Sequence, residues 1–148
     1  MKRSILALML VFSVVVAFAQ GNPVKWSYKA VKKGPGVYAV IITSESPAPW
    51  HIYSQTTPDG GPVPTKITFA KNPLVTLNGG VKEAGDLKTT HDKNFGVDVK
   101  YFSGKTEFTQ LVKVKGKVST NLKGTVEFMV CNDHECLPPS KQEFTVKL

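Results

Sequence analysis

At 148 residues the chain has the size of one domain. Its net charge of +8 comes from lysines scattered along the sequence, and its only arginine is Arg3. A nucleic-acid-binding surface, which needs clustered basic residues and arginine in particular, is therefore not expected.

The chain opens on a leader pattern. Lys2 and Arg3 precede an apolar run from Ile5 to Phe18, and Ala17-Phe18-Ala19 places small residues where a signal peptidase reads. The run is short for a membrane span and polar sequence follows it directly. Residues 1–19 are read as a signal peptide and 20–148 as one exported domain. Without Lys2 and Arg3 the net charge falls to +6.

After residue 20, period-two alternation recurs, without a sustained 3.6-residue period. Val24 to Lys32 alternates Val24, Trp26, Tyr28 and Ala30 against polar residues, a first strand. Lys33-Gly34-Pro35-Gly36 is a turn by composition. Val37 to Thr43 is apolar on both faces and β-branched, hence a central strand. Two prolines in Ser44 to Pro49 predict a break, and Trp50 to Tyr53 resumes as a short extended segment. Thr57 to Pro64 can only be loop. Thr65 to Ala70 is a short strand with Ile67 and Phe69 on one face. Asn78-Gly79-Gly80 predicts a turn, followed by a polar segment to Asn94.

The strand signal returns at Val97, with Val99 and Tyr101 on the same parity, then Ser103-Gly104 as a turn. Thr106 to Val118 sets Phe108, Gln110, Val112 and Val114 on one face. Gly124 to Cys131 and Gln142 to Leu148 close the chain as a hairpin. Eight or nine short strands separated by turn residues predict an all-β fold, an antiparallel sandwich.

The chemistry is concentrated in Val130-Cys131-Asn132-Asp133-His134-Glu135-Cys136-Leu137-Pro138-Pro139, which holds the only two cysteines. In an exported chain they are most simply a disulfide for part of the time. Val126, Phe128 and Val130 share the core-facing parity. Cys131 instead falls with Thr125, Glu127 and Met129, so it is expected off the main core, toward solvent or a covering loop. That parity favours an accessible pair. Closing so small a loop constrains the unfolded chain by only about 2 kcal/mol, a modest staple.

Three readings of the pair stay open on residue chemistry. It can be an inert structural disulfide. It can be a metal site, with Cys131, His134 and Cys136 as ligands and His51 or His91 as a fourth, suited to copper(I) or zinc. The Cys-x2-His-x-Cys spacing is cramped for a zinc knuckle. Or it can be a redox couple, in which one cysteine is attackable by a partner thiol. His134 would then favour a thiolate, while Asp133 and Glu135 would oppose it. Pro138 and Pro139 remove two amide donors and leave an open edge, either a docking line or a guard against aggregation.

The run from Cys131 to Pro139, near the end of a sandwich domain, resembles the N-terminal periplasmic domains of the DsbD thiol:disulfide interchange family. The resemblance covers nearly all of 20–148, through Trp50-His51-Ile52-Tyr53, the Asp92 to Gly96 loop, Tyr101 to Phe108 and the cysteine hairpin. It implies an immunoglobulin-like fold and a domain that takes electrons from a membrane-embedded donor and passes them to thioredoxin-like periplasmic oxidoreductases. On that resemblance Cys131 and Cys136 are the redox pair, Phe95 is the aromatic of a shielding cap loop, and Tyr53 packs beside the pair. Ordinary core packing is the plainer role for Phe95 and Tyr53. Asp133, His134 and Glu135 are placed to modulate the sulfurs.

Two departures stand out. Four residues separate the cysteines, one fewer than in better-known members. The chain also ends at Leu148 with no membrane domain, no second thioredoxin-like domain and no Cys-x-x-Cys, so a separate electron donor is expected. The expectation is a monomeric periplasmic electron relay needing no cofactor. An interaction module with a structural disulfide and a copper or zinc carrier are its alternatives.

Overall fold

The computed structural model describes residues 21–93 and 95–148; the predicted signal peptide, 1–19, lies outside the described residues. Within them the chain forms nine strands: β1 Lys25–Gly34, β2 Val37–Tyr53, β3 Lys66–Phe69, β4 Val75–Ala84, β5 Leu87–Asp92, β6 Val97–Val114, β7 Asn121–Phe128, β8 Val130–Cys131 and β9 Ser140–Lys147. They make two antiparallel sheets, one in the order β1-β2-β6-β4 with β5 also on β6 and β8 also on β2, the other β3-β7-β9. This is the expected immunoglobulin-like sandwich.

Alternation explains which residues fill it. Val40, Ile42 and Ile52 of β2 meet Phe102, Phe108 and Val112 of β6, and Leu122, Val126, Phe128, Phe144 and Val146 close the core from the second sheet. Each such side chain, fully buried, stabilises the fold by roughly 1.5–3 kcal/mol before entropy is charged against it. Trp26 packs on Phe128 with ring centroids 4.9 Å apart, joining the two layers. β2 is central as expected, with β1 on one side and β6 on the other, and of its apolar residues Val40 and Ile42 fill the core while Ala39 is buried and Ile41 half-buried on the opposite face.

Three predicted interruptions are not turns. β2 and β6 run unbroken for 17 and 18 residues. Ser46 lies opposite Gly104 and the next pair is His51 with Ser103, so Pro47, Ala48, Pro49 and Trp50 bulge out of the ladder. Proline offers no ladder donor, and Gly104 takes a left-handed conformation at φ 71°, so the two signals meet across the sheet and bend it. In β4, Asn78 pairs with Leu111 and Lys82 with Thr109, leaving Gly79, Gly80 and Val81 as a second bulge. The buried Gln110 amide serves that bulge, its Nε2 donating to the Asn78 and Gly79 carbonyls at 3.2 and 3.1 Å. The polar segment before Asn94 is a strand too: β5 is an exposed edge, with no apolar face to alternate against.

The bend divides the large sheet. On one side β2 and β6 are flanked by β1 and β4; on the other they are flanked by β8 and β5. The second half is the platform for the cysteines.

Candidate functional site

At Met129 the chain changes sheets. Phe128 still pairs with Ser140 in the small sheet, whereas Val130 and Cys131 pair with Ile52 and His51 in the large one. Alternation survives the switch: Val130 enters the main core and Cys131 faces the opposite side. That side is covered. Cys131 is only 1% exposed, buried with Tyr53 and Val99, and Val97, Tyr101, Met129 and Cys136 pack around them. The expectation of an accessible pair is therefore corrected: Cys131 is enclosed and Cys136 is half-buried. Parity gave the direction of Cys131, but it could not show that other segments roof that face.

Cys131 and Cys136 form a disulfide with Cα atoms 4.1 Å apart. They oppose each other directly across a tight hairpin. Leu137 N–H donates to the Val130 carbonyl at 2.8 Å on one side, and Asn132 N–H to the Glu135 carbonyl at 2.9 Å on the other. The cysteines thus occupy the non-hydrogen-bonded position, where facing Cα atoms come closest. Asn132 holds the turn, its Oδ1 accepting the amides of His134 and Glu135, both at 2.8 Å. This is the local turn chemistry for which asparagine is favoured. Asp133, His134 and Glu135 consequently project into solvent around the pair.

The roof comes from two segments. Residues 54–65, the proline-rich stretch, fold over the cluster, with Pro62 buried and Val63 N–H directed at Met129 Sδ at 3.5 Å. Ser54 N–H donates to the Lys100 carbonyl, Ser54 Oγ donates to a Glu83 carboxylate oxygen, and Gln55 N–H donates to the other at 3.0 Å. The second segment is the β5–β6 hairpin, which supplies Val97 and Val99. Phe95 sits in its turn, half-buried, its N–H donating to Asp92 Oδ1 at 3.3 Å. Phe95 is not among the side chains of the cysteine cluster itself. The charge of Asp92 nevertheless acts on both His51 and Tyr53, so the hairpin tip lies near this face.

His51 and Tyr53 share the cysteine side of β2, because Ile52 between them points into the main core. His51 Nε2 and the Tyr53 hydroxyl are 3.3 Å apart, and the His51 ring stacks at a tilt on Tyr101 with centroids 4.6 Å apart. Burial pushes the imidazole below its ordinary value, while Asp133, Asp92 and a hydrogen bond with Pro49 pull it back up. The Tyr53 phenol is pushed up by burial, then by Asp92 and Tyr101. His51 entered the sequence reading as an optional ligand and as part of the Trp50 to Tyr53 stretch, not as a neighbour of the pair, and Tyr101 and Met129 not as site residues. The alternation of Trp50-His51-Ile52-Tyr53 shows the shared face; the pairing of His51 with Cys131 has no sequence signal. Among the described residues, no group of three or more His, Cys, Asp or Glu could hold a metal ion.

The family model for the N-terminal part of thiol:disulfide interchange protein DsbD matches residues 25–148. Among solved structures, the chain is similar to the N-terminal domain of Neisseria meningitidis DsbD in the reduced form, with TM-score 0.51 and 15% identity over 72% of this chain and 74% of that one. It is also similar to the N-terminal periplasmic domain of ScsB from Proteus mirabilis, with TM-score 0.53 and 14% identity over 84% of this chain and 44% of that one. At such identities these likenesses speak for the fold alone. No curated protein matches the chain. Among the described residues, no helix is long and apolar enough to cross a membrane. A disulfide between Cys131 and Cys136 within this family points to thiol–disulfide exchange. The match over residues 25–148 shows that the chain belongs to the DsbD N-terminal domain family.

Proposed function

We propose that the protein is an exported periplasmic electron carrier, relaying electrons between a membrane-embedded reductant and thioredoxin-like oxidoreductases through Cys131 and Cys136. Export rests on the leader pattern, and the partners rest on the family. The observation that carries the reading is the unequal exposure of the two sulfurs: Cys131 is enclosed while Cys136 is half-buried beside an exposed turn. Such asymmetry selects one point of attack. A partner thiolate bonds to Cys136 Sγ as the Cys131–Cys136 bond breaks, and Cys131 keeps the electron pair. The partner's second thiol then attacks its own sulfur in the mixed disulfide and releases Cys136. Two electrons and two protons pass to the pair, and the partner leaves as a disulfide; the reverse sequence delivers them to an acceptor. Phe95 and Tyr53 restrict access to the pair, and Asp133, His134 and Glu135 set the charge that a partner meets at Cys136.

The test is capture. Oxidised thioredoxin-like periplasmic oxidoreductase, mixed with Cys131→Ser, should form a mixed disulfide through Cys136, and Cys136→Ser should form far less. Capture by neither variant would overturn the relay. A reduction potential below about −300 mV against glutathione would identify a structural disulfide instead.

A further inference from the structure

Cys136, Cys131 and His51 form one row across three neighbouring chain segments: Cys136 opposes Cys131 in the hairpin, and Cys131 opposes His51 in the β2–β8 ladder. Side chains directly opposite in an antiparallel pair stand about 4.5–5.5 Å apart at Cβ and lie on the same face. The sulfur that must hold the electron pair, Cys131, is thus flanked on one side by its bonding partner and on the other by an imidazole. Its remaining neighbours are the apolar Val97, Val99 and Met129 and the uncharged Tyr53 and Tyr101. A thiolate formed among them would be a buried charge with no counter-charge, which the interior strongly disfavours.

We propose that His51 is a positioning residue for the exchange reaction, supplying in its protonated form the counter-charge for the Cys131 thiolate. The proposal rests on the exchange reading of the pair and extends it to a residue outside the hairpin. As a partner thiolate bonds to Cys136 and the Cys131–Cys136 bond breaks, the electron pair develops on Cys131 beside the imidazolium. The proton that Cys131 finally takes is one lost by the partner's thiols to solvent and returned through the half-exposed ring of His51.

Every charged or titratable group shown to act on His51 fits this role. On its own strand the Tyr53 hydroxyl holds Nε2, and the carbonyl of Pro49, which has no amide hydrogen, takes the other bond. Tyr101 of β6 stacks on the ring. Asp133 in the cysteine turn and Asp92 at the end of β5 each favour the protonated ring, and burial opposes them. Burial, the largest influence, makes the ring harder to protonate than an ordinary imidazole, and it gains its proton as the solution is acidified. Exchange at Cys131 should quicken as it does.

The test uses the oxidised full domain and glutathione, with the rate constant expressed per glutathione thiolate so that titration of the reagent drops out. In the unsubstituted protein this constant should rise about three- to tenfold between about pH 8 and about pH 5. His51→Gln should give a flat profile, and His91→Gln, at an exposed histidine of β5 paired with Asp98, should keep the rise. His51→Lys, a cation throughout, should be fast at every pH, and it decides the matter if the glutamine variant folds poorly. A flat profile in the unsubstituted protein, or an equal rise with His51→Gln, would overturn the proposal. Because the probe is a small thiol, such a failure leaves the relay itself standing, and failed partner capture leaves this role of His51 standing.

Discussion

Gly61 and Val97 approach so closely that a Cβ on Gly61 would stand 2.9 Å from Val97 Cγ2, and 3.7 Å from Val99 Cγ1. Those two valines are part of the cover over Cys131, so the missing side chain at Gly61 lets the loop close down on it. Gly61→Ala should lift this cover. The expected result is a roughly threefold or greater rise in the rate of disulfide reduction by a small phosphine, with a stability cost of about 1–3 kcal/mol from overpacking. An unchanged reduction rate would mean the loop does not limit access.

Phe95 occupies the other covering segment, half-buried in the turn between β5 and β6. As a shield it would slow reagents approaching Cys136. Phe95→Ala should therefore speed alkylation of the reduced pair by iodoacetamide severalfold, without changing the unfolding free energy from urea titration by more than about 0.5 kcal/mol, the usual range for surface changes. If the alkylation rate stays the same, the turn has a purely structural part.

Breaking the disulfide should leave the fold standing. The bond closes a loop from Cys131 to Cys136 only, whose constraint on the unfolded chain is about 2 kcal/mol. Hydrogen bonds from Leu137 to Val130 and from Asn132 to Glu135 hold the same hairpin without it. The reduced protein should melt cooperatively, less than about 10 °C below the oxidised one by calorimetry. A larger loss, or a non-cooperative transition, would make the bond structural.

Tyr28 stacks on Phe144 with centroids 4.6 Å apart, bridging the two sheets, and burial pushes its phenol up to about 12. A raised folded-state value means that the native state holds its proton where the unfolded chain has lost it. The associated stability is whole below pH 10 and disappears as pH rises toward 12. Tyr53 contributes with the same sign. Urea midpoints should fall steeply above about pH 10, and Tyr28→Phe should flatten part of that fall. Parallel curves for the two proteins would reject the assignment.

Period-two alternation carried the fold a long way. It placed Phe108, Val112, Val126 and Phe144 inward, made β2 central, and paired β7 with β9. Glycine and proline misled it, because each has two uses. Pro47, Pro49 and Gly104 look like turn residues, yet they face one another across a ladder that continues. Gly79 and Gly80 likewise make a bulge that the Gln110 side chain completes from a neighbouring strand. Whether such residues end a strand or bend it depends on the partner strand, which local sequence does not name.

At the cysteines the residue types were readable and the enclosure was not. The direction of Cys131 followed from its parity with Met129, but its burial depends on the 54–65 loop, whose composition says only that it is irregular. His51 became a neighbour of the pair through a register between β2 and β8, more than seventy positions apart in the chain. The four-residue spacing proved compatible with a directly opposed pair because Asn132 tightens the turn.

The prolines that follow the hairpin bear on how long a partner stays. Pairing through Leu137 N–H ends at Val130, and the next strand starts only at Ser140, so Pro138 and Pro139 lie exposed beside Cys136. A strand laid along this segment meets carbonyl oxygens but no amide hydrogens at two successive residues. It cannot zip into a continuous ladder, and the covalent sulfur bond must provide much of the hold. Once that bond resolves, little remains to delay departure. In the proposed carrier, which would leave one protein before it served the next, short residence would be an advantage that the double proline supplies in the backbone itself.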